Sequence, residues 1–123
     1  GGRHVPLYNA MGRGIEFVTS IGIAKIESRV QNLAEQLINS LTEIPSVEIK
    51  SPPAGDMSTG MVTFSIDGIS GSDLNQTLWD RWQIMGREAL RDTAMRLCIS
   101  FFNSESEIDT VTSGIETIAR ERR

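Results

Sequence analysis

An arginine lies inside an apolar run that passes almost directly into a helix cap: Met95-Arg96-Leu97-Cys98-Ile99-Ser100-Phe101-Phe102-Asn103-Ser104-Glu105-Ser106-Glu107-Ile108-Asp109. Met95 to Phe102 reads as a strand, with Arg96, Cys98, Ser100 and Phe102 on one face and Leu97, Ile99 and Phe101 on the other. Ser104-x-x-Glu107 is a capping box, and the helix it opens presents Ile108, Val111, Ile115 and Ile118 along one side. A strand that turns into an amphipathic helix within two residues demands a sheet covered by helices. Burying a guanidinium in that strand is costly unless an anion meets it. Its planar fork suits a carboxylate or a phosphate. Two readings stand side by side: Arg96 snorkels to the sheet edge and pairs with an Asp or Glu of the chain, or it holds a ligand.

The remaining elements complete a layer. Pro6 suits the first turn of a helix over residues 7–20, which contains Gly12 and Gly14 and is ended by Gly22. Ile23, Ile26, Val30, Leu33, Leu37 and Leu41 then recur at three- and four-residue steps, predicting an amphipathic helix roughly 30 Å long. Its other face carries Arg29, Gln31, Glu35 and Asn39. Val47-Glu48-Ile49-Lys50 alternates as a short strand and is closed by Ser51-Pro52-Pro53-Ala54-Gly55-Asp56, a turn cluster. Met61 to Ile66 has the period of a half-buried strand, ended at Asp67-Gly68. Ser72 or Asp73 is expected to cap a helix through Trp82, with Leu74, Leu78 and Trp82 on its inner side. Ile84-Met85 begins another short strand, and Gly86 to Ala94 reads as a loop. The expected fold is therefore α+β: a small, mostly antiparallel sheet with helices packed on one side.

Composition removes several function classes. A length of 123 residues, 39% hydrophobic and 23% charged, describes one soluble globular domain. A net charge of −4 and a pI near 5.0 argue against nucleic acid or anionic membrane as a main partner. Ten of the twelve basic residues are arginine, scattered rather than striped. The single cysteine excludes an internal disulfide and a cysteine-built zinc site, and fits a cytoplasmic location. Mid-strand between Leu97 and Ile99, Cys98 is expected to pack as a small core residue. No run approaches the roughly 20 apolar residues of a membrane helix, and no signal peptide is expected behind Gly1-Gly2-Arg3-His4. The Gly-Gly start without Met predicts a chain that begins inside a longer product or after a tag.

A self-sufficient catalytic centre is not expected. His4 is the only histidine, which leaves no histidine triad or metal cluster. Gly12-Arg13-Gly14 lacks the preceding strand of a dinucleotide loop, and Gly68-Ile69-Ser70-Gly71 reads as a strand-to-helix turn. Lys25 lies on a solvated helix and Lys50 ends a strand, so neither has the desolvated setting that activates an amine.

The pattern Arg96…Ile99…Phe102-Asn103-Ser104…Glu107-Ile108-Asp109 resembles the C-terminal end of class V aminotransferases, pyridoxal-phosphate enzymes of fold type I that include cysteine desulfurases and isopenicillin N epimerases. Leu78 to Ile84 with Arg87 is similar to the family's helix-to-strand entry, and Ile21-Gly22 with Ile26 and Arg29 resembles its Ile-Gly-x-x-x-Ile-x-x-Arg stretch. Gly1-Gly2-Arg3 stands where the family often has Gly-Thr-Arg. The resemblance implies a small domain of fold type I: residues 1–21 as a linking helix region and 22–123 as the C-terminal α+β domain. A large catalytic domain would lie upstream, holding the pyridoxal phosphate and its lysine, in a homodimeric enzyme. It implies that Arg96 grips the carboxylate of an amino-acid substrate, with Arg87 assisting, and that this chain holds no catalytic lysine, no cofactor-binding residue and no metal.

Two departures narrow the branch. Gly2 offers no hydroxyl where the family's Thr reaches the cofactor phosphate. The segment from Gly86 to Met95 contains no cysteine where desulfurases carry their persulfide-forming one, and Cys98 lies on the strand beyond it. These departures favour an epimerase, C–S lyase or aminotransferase over a desulfurase. The competing expectation is a stand-alone, non-catalytic α+β binding or oligomerisation module.

Overall fold

Burial of one face of a small sheet organises the molecule. The computed structural model describes residue 2, residues 4–53 and residues 59–122. Part of the turn cluster expected at 51–56 and two residues of the Gly1-Gly2-Arg3 motif (Gly1 and Arg3) lie outside the described residues. Helix α1 (Val5–Ile21) is followed by α2 (Ile23–Thr42), then by strands β1 (Val47–Ile49) and β2 (Met61–Ile66). Helix α3 (Gly71–Trp82), strands β3 (Arg87–Ala89) and β4 (Ala94–Cys98), and helix α4 (Glu105–Glu121) complete the chain. All strand pairs are antiparallel, in the order β1-β2-β4-β3. The expected α+β layer architecture holds.

The register follows from which side chains must leave water. Phe64 stands opposite Met95 and Val62 opposite Leu97, and all four are buried with Ile66. Onto them pack Leu33, Leu37 and Leu41 of α2, Leu74 and Leu78 of α3, and Ile108, Ile115 and Ile118 of α4. Each such side chain contributes about 1.5–3 kcal/mol on leaving water. With period two, the same pairing sends Met61, Thr63, Arg96 and Cys98 to the uncovered face.

The starts of α3 and α4 are capped by serine side chains, whereas α2 begins at Gly22 with no side-chain cap. Ser104 Oγ accepts from the Glu107 N–H while the Glu107 carboxylate accepts from the Ser104 N–H, so the predicted capping box forms. In α3 the cap is Ser70, two or three residues before the expected Ser72 or Asp73, and its Oγ accepts from the Asp73 N–H at 3.1 Å. Asp73 is instead a first-turn acid, favourable beside the helix N-terminus. His4 caps α1 weakly, its Nδ1 accepting from the Leu7 N–H at 3.4 Å. No residue of α1 is buried, and Val5, Leu7, Tyr8, Met11, Ile15 and Phe17 stand largely exposed.

Three expectations about the second half fail. Ile84-Met85 is not a strand: the chain leaves α3 through Gln83 in a left-handed conformation, and Ile84 packs against the core. The strand lies instead inside the expected loop, at Arg87–Ala89, because hydrogen bonding to β4 rather than an apolar alternation creates it. The main strand also ends at Cys98 rather than Phe102. Asn103 terminates it, its Oδ1 accepting from the Ser100 N–H at 2.8 Å while its own N–H donates to the Ser100 carbonyl at 3.1 Å.

Arg29 ties the two long helices together. Its guanidinium forks onto the Glu105 carboxylate and also donates to the Asn103 carbonyl at 3.0 Å. That fork, aided by the backbone N–H of Glu105, holds the Glu105 carboxyl down at about 2. A carboxylate with a depressed folded-state pKa stabilises the fold above its ordinary range and loses that contribution as pH falls through the folded value. The stability gap between the wild type and Arg29→Met should therefore be widest at neutral pH and shrink between about pH 4.5 and pH 2, as urea midpoints across that range would read. A gap independent of pH would assign the effect of Arg29 to packing instead.

Gly60 offers a second check. It has φ +75°, and a Cβ there would fall 2.4 Å from Val30 Cγ1 and 2.9 Å from the Ile99 carbonyl oxygen. Gly60→Ala should cost about 1–3 kcal/mol of stability by overpacking and backbone strain, measured by chemical denaturation; an unchanged midpoint would contradict the close approach of α2 to this turn.

Candidate functional site

Strand β4 exposes the chain's most unusual juxtaposition. Arg96 stands directly opposite Arg87 of β3 on one side and opposite Thr63 of β2 on the other. Two like charges directly paired across strands repel one another. Neither arginine forms an ion pair among the described residues, whereas Arg29 is joined to Glu105 and Arg81 to Glu121. The Nε of Arg96 is buried and has no hydrogen-bond partner among the described residues. The expectation that Arg96 pairs with an acid of its own chain is thus not met among the described residues.

The two arginines line an open cavity of about 460 Å³, together with Asn75, Met85, Gly86, Glu88 and Cys98. Glu88 is a neighbour of the pair in sequence but points from the alternate position of β3, opposite Met95. An anion in this cavity would meet the terminal nitrogens of the Arg96 guanidinium, since its Nε is closed to solvent, while Arg87 neutralises its second oxygen. Such an anion would also relieve the repulsion between the arginines.

Cys98 is exposed, which corrects the expectation of a core thiol. It lies two residues from Arg96 on the uncovered face and opposite Met61, so burial of Leu97 turns it outward. A second, more enclosed cavity of about 300 Å³ adjoins the first through Met85 and Cys98. Its walls include Leu37, Trp82, Leu97 and Ile108, so it reaches the core rather than the arginines.

Helix α3 supplies residues that sequence reasoning did not single out. Asn75 Oδ1 accepts from the Gly86 N–H at 2.9 Å, which fixes the chain immediately before Arg87. A Cβ at Gly86 would fall 2.2 Å from Met95 Cε and 2.8 Å from the Arg96 carbonyl oxygen, so glycine lets this segment lie close against β4. Asp92, in the turn beyond β3, meets the N-terminus of α3: its Oδ1 accepts from the Ser72 N–H at 2.6 Å. The only sequence hint was the pair of glycines, Gly71 and Gly86, each standing where two backbones meet.

The other candidate groups stay apart from this cavity. Lys25 lies exposed on α2, and Lys50 follows β1 and pairs with Glu48. Gly68-Ile69-Ser70-Gly71 is the expected strand-to-helix turn, with Gly68 at φ +76°. Among the described residues no group of three or more His, Cys, Asp or Glu is placed to hold a metal. No helix among the described residues is long and apolar enough to cross a membrane. Among the described residues Arg87 and Arg96 therefore form a paired cationic site, and neither lysine lines their cavity.

Comparison with known proteins places this architecture. The chain is 24% identical over 124 residues to the isopenicillin N epimerase of Streptomyces clavuligerus, a match covering 98% of this chain and 31% of that protein. It is 26% identical over 117 residues to a cysteine desulfurase of Haloferax volcanii, covering 87% of this chain and 27% of the relative. The chain therefore spans about a third or less of the length of these relatives. Its fold superimposes on a NifS-like protein with TM-score 0.84 at 20% identity, covering 98% of this chain and 35% of the other. The cysteine desulfurase CsdA of Escherichia coli gives TM-score 0.82 at 19% identity, covering 98% and 32%. Residues 1–111 match the family model described as aminotransferase class-V. With nearly its whole length inside that match, the chain belongs to the class V aminotransferase family.

Proposed function

We propose that this chain is the C-terminal small domain of a pyridoxal-phosphate enzyme acting on an amino acid, in which Arg96 holds the substrate carboxylate and Arg87 assists. The observation that carries the reading is the directly opposed arginine pair, with no acid partner among the described residues and with the Nε of Arg96 buried and unsatisfied. Family membership supplies the context, and a solved relative at 19% identity is described as carrying a covalently modified PLP cofactor. When bound in the upstream domain, pyridoxal phosphate would act as the electron sink for chemistry at the substrate α-carbon. The residues of this chain would bind and orient the substrate rather than perform proton transfer.

The same reading accounts for α1. A helix of 17 residues with none buried and a row of exposed apolar side chains is short of partners within this chain. Residues 1–21 would link the upstream large domain to the small domain at 22–123, within a cytoplasmic homodimer. A stand-alone binding module would use the same arginine pair, but the match of residues 1–111 to the family and the roughly threefold greater length of the relatives favour the enzyme domain.

The β3–β4 connection favours the cysteine-independent branches: epimerase, C–S lyase or aminotransferase. It consists of Leu90, Arg91, Asp92 and Thr93, with no thiol to carry a persulfide. Cys98 lines the arginine cavity, but it comes from the strand rather than from a loop that could travel to a cofactor. Cys98→Ala in the full-length enzyme should retain turnover within about twofold. A loss approaching the roughly 10⁴-fold or more typical of a removed nucleophile would instead make Cys98 the reacting group.

Arg96→Lys tests the carboxylate grip. Lysine keeps the charge but not the fork, and hydrogen bonds to charged groups are worth about 1.5–3 kcal/mol. In the full-length enzyme with its cofactor bound, KM for the amino acid should rise about 10- to 100-fold. The absorbance of the cofactor should not change. Unaltered kcat/KM would remove Arg96 from the substrate site.

A further inference from the structure

The arginine pair is held together by a helix that contributes no charge to it. Strand β3 has only Arg87, Glu88 and Ala89, lies at the sheet edge and places Arg87 against a like charge on β4. A three-residue edge strand is weakly held, and repulsion across it favours splaying. Helix α3 fixes both of its ends. Before β3, Asn75 Oδ1 accepts from the Gly86 N–H at 2.9 Å. After it, Asp92 closes the N-terminus of α3: its carbonyl accepts from the Gly71 N–H at 2.8 Å, Oδ1 from the Ser72 N–H at 2.6 Å, and Oδ2 from Ser72 Oγ at 2.8 Å.

This second clasp answers a need of the helix as well as of the strand. The first-turn N–H groups of a helix have no intrahelical partners. Ser70 satisfies Asp73 and Leu74, and Asp92 satisfies Gly71 and Ser72. The positive end of the helix dipole also favours the Asp92 carboxylate. Gly71 makes the approach possible, since a Cβ there would fall 2.0 Å from the Ala94 carbonyl oxygen. The turn itself is strained: Leu90, Arg91 and Asp92 have φ of 51°, 56° and 68°, a left-handed conformation disfavoured in each. It persists because the clasp to α3 holds it.

We infer that Asn75 and Asp92 are positioning residues that hold Arg87 in register with Arg96 against their mutual repulsion, so that the pair is pre-organised for a substrate carboxylate. This rests on the proposed role of the two arginines as a carboxylate grip. Asp92 does not line the cavity, and Asn75, which does, has its Oδ1 committed to the Gly86 N–H. Their effect passes through the place of Arg87.

The test uses the full-length, cofactor-loaded protein and two probes, L-alanine and ethylamine, which share the amine and differ by the carboxylate. Dissociation constants are read from the change in cofactor absorbance. Asn75→Ala and Asp92→Ala should each weaken L-alanine about tenfold, as a small misplacement of a binding group does, while ethylamine stays within about twofold. Asp92→Asn, whose amide oxygen can still accept from the Ser72 N–H, should recover most of the affinity. Ser72→Ala, which leaves the backbone bonds in place, provides a milder variant if Asp92→Ala does not fold, with an expected loss of about twofold to threefold. In an Arg87→Ala background, Asp92→Ala should add nothing. Unchanged L-alanine affinity, equal weakening of both probes, or full additivity with Arg87→Ala would overturn the inference while Arg87→Ala and Arg96→Lys still weaken L-alanine. If those two arginine variants leave L-alanine unaffected, the carboxylate reading itself falls, and the positioning role falls with it.

Discussion

Burying Phe64 against Met95 turns Arg96 outward, and most of the molecule follows from that one pairing. A strand offers only two directions to its side chains, so placing Val62, Phe64, Ile66, Met95 and Leu97 under the helices leaves Thr63, Arg96 and Cys98 no choice of face. A one-residue slip of β4 would drive a guanidinium into the core and expose Met95 and Leu97. The cost of burying an unpaired charge makes that slip prohibitive. Register, and with it the site, is thus set by the hydrophobic face rather than by the polar residues that use it.

The charge pattern separates structural from available arginines. Arg29 joins α2 to the first turn of α4 through Glu105, and Arg81 joins α3 to the end of α4 through Glu121. Both forks are matched by carboxylates whose pKa values they lower. Arg87 and Arg96 differ in having each other as neighbours, on the face of β4 opposite the buried Met95 and Leu97. A chain with a net charge of −4 has enough acids to neutralise them. Its acids are instead used at helix starts and on helix surfaces, where Glu105, Glu107 and Asp73 meet backbone N–H groups or the helix dipole.

Local chemistry was most legible where one segment decides its own structure. The three- and four-residue steps from Ile23 to Leu41, the alternation of Met61 to Ile66 and the Ser104–Glu107 box each carry their pattern in a few residues, and each element forms as expected. β3 was not legible because Arg87-Glu88-Ala89 has no apolar alternation; only the partner strand makes it one. Its turn was hidden for a related reason, since Leu90, Arg91 and Asp92 adopt left-handed conformations without a glycine among them. Ser70 was missed because Ser72 and Asp73 have the same capping chemistry, and the Asp92 contact occupies the N–H of Ser72 instead. Cys98 was misplaced by its apolar neighbours, although its alternation with Leu97 already put it on the face of Arg96. The site was legible only in part: Arg96 stood out as a charge in an apolar run, whereas its pairing with Arg87 depends on a hairpin the sequence did not announce.

That dependence bears on how a pair of arginines can be selective. An isolated arginine on a flexible strand attracts any anion, and its rotamer freedom is lost on binding. Two arginines fixed opposite one another instead carry a repulsion before the ligand arrives, and a planar anion placed between them removes it. The unfavourable contact is made tolerable by bonds elsewhere: Asn75 to Gly86, and Asp92 to Gly71 and Ser72. The Asp92 bonds also complete the N-terminus of α3 beyond what Ser70 supplies, and they draw the hairpin against it. Helix capping, strand register and arginine spacing are therefore one coupled arrangement. A substitution in the turn would be felt at the arginine pair before it was felt in the core.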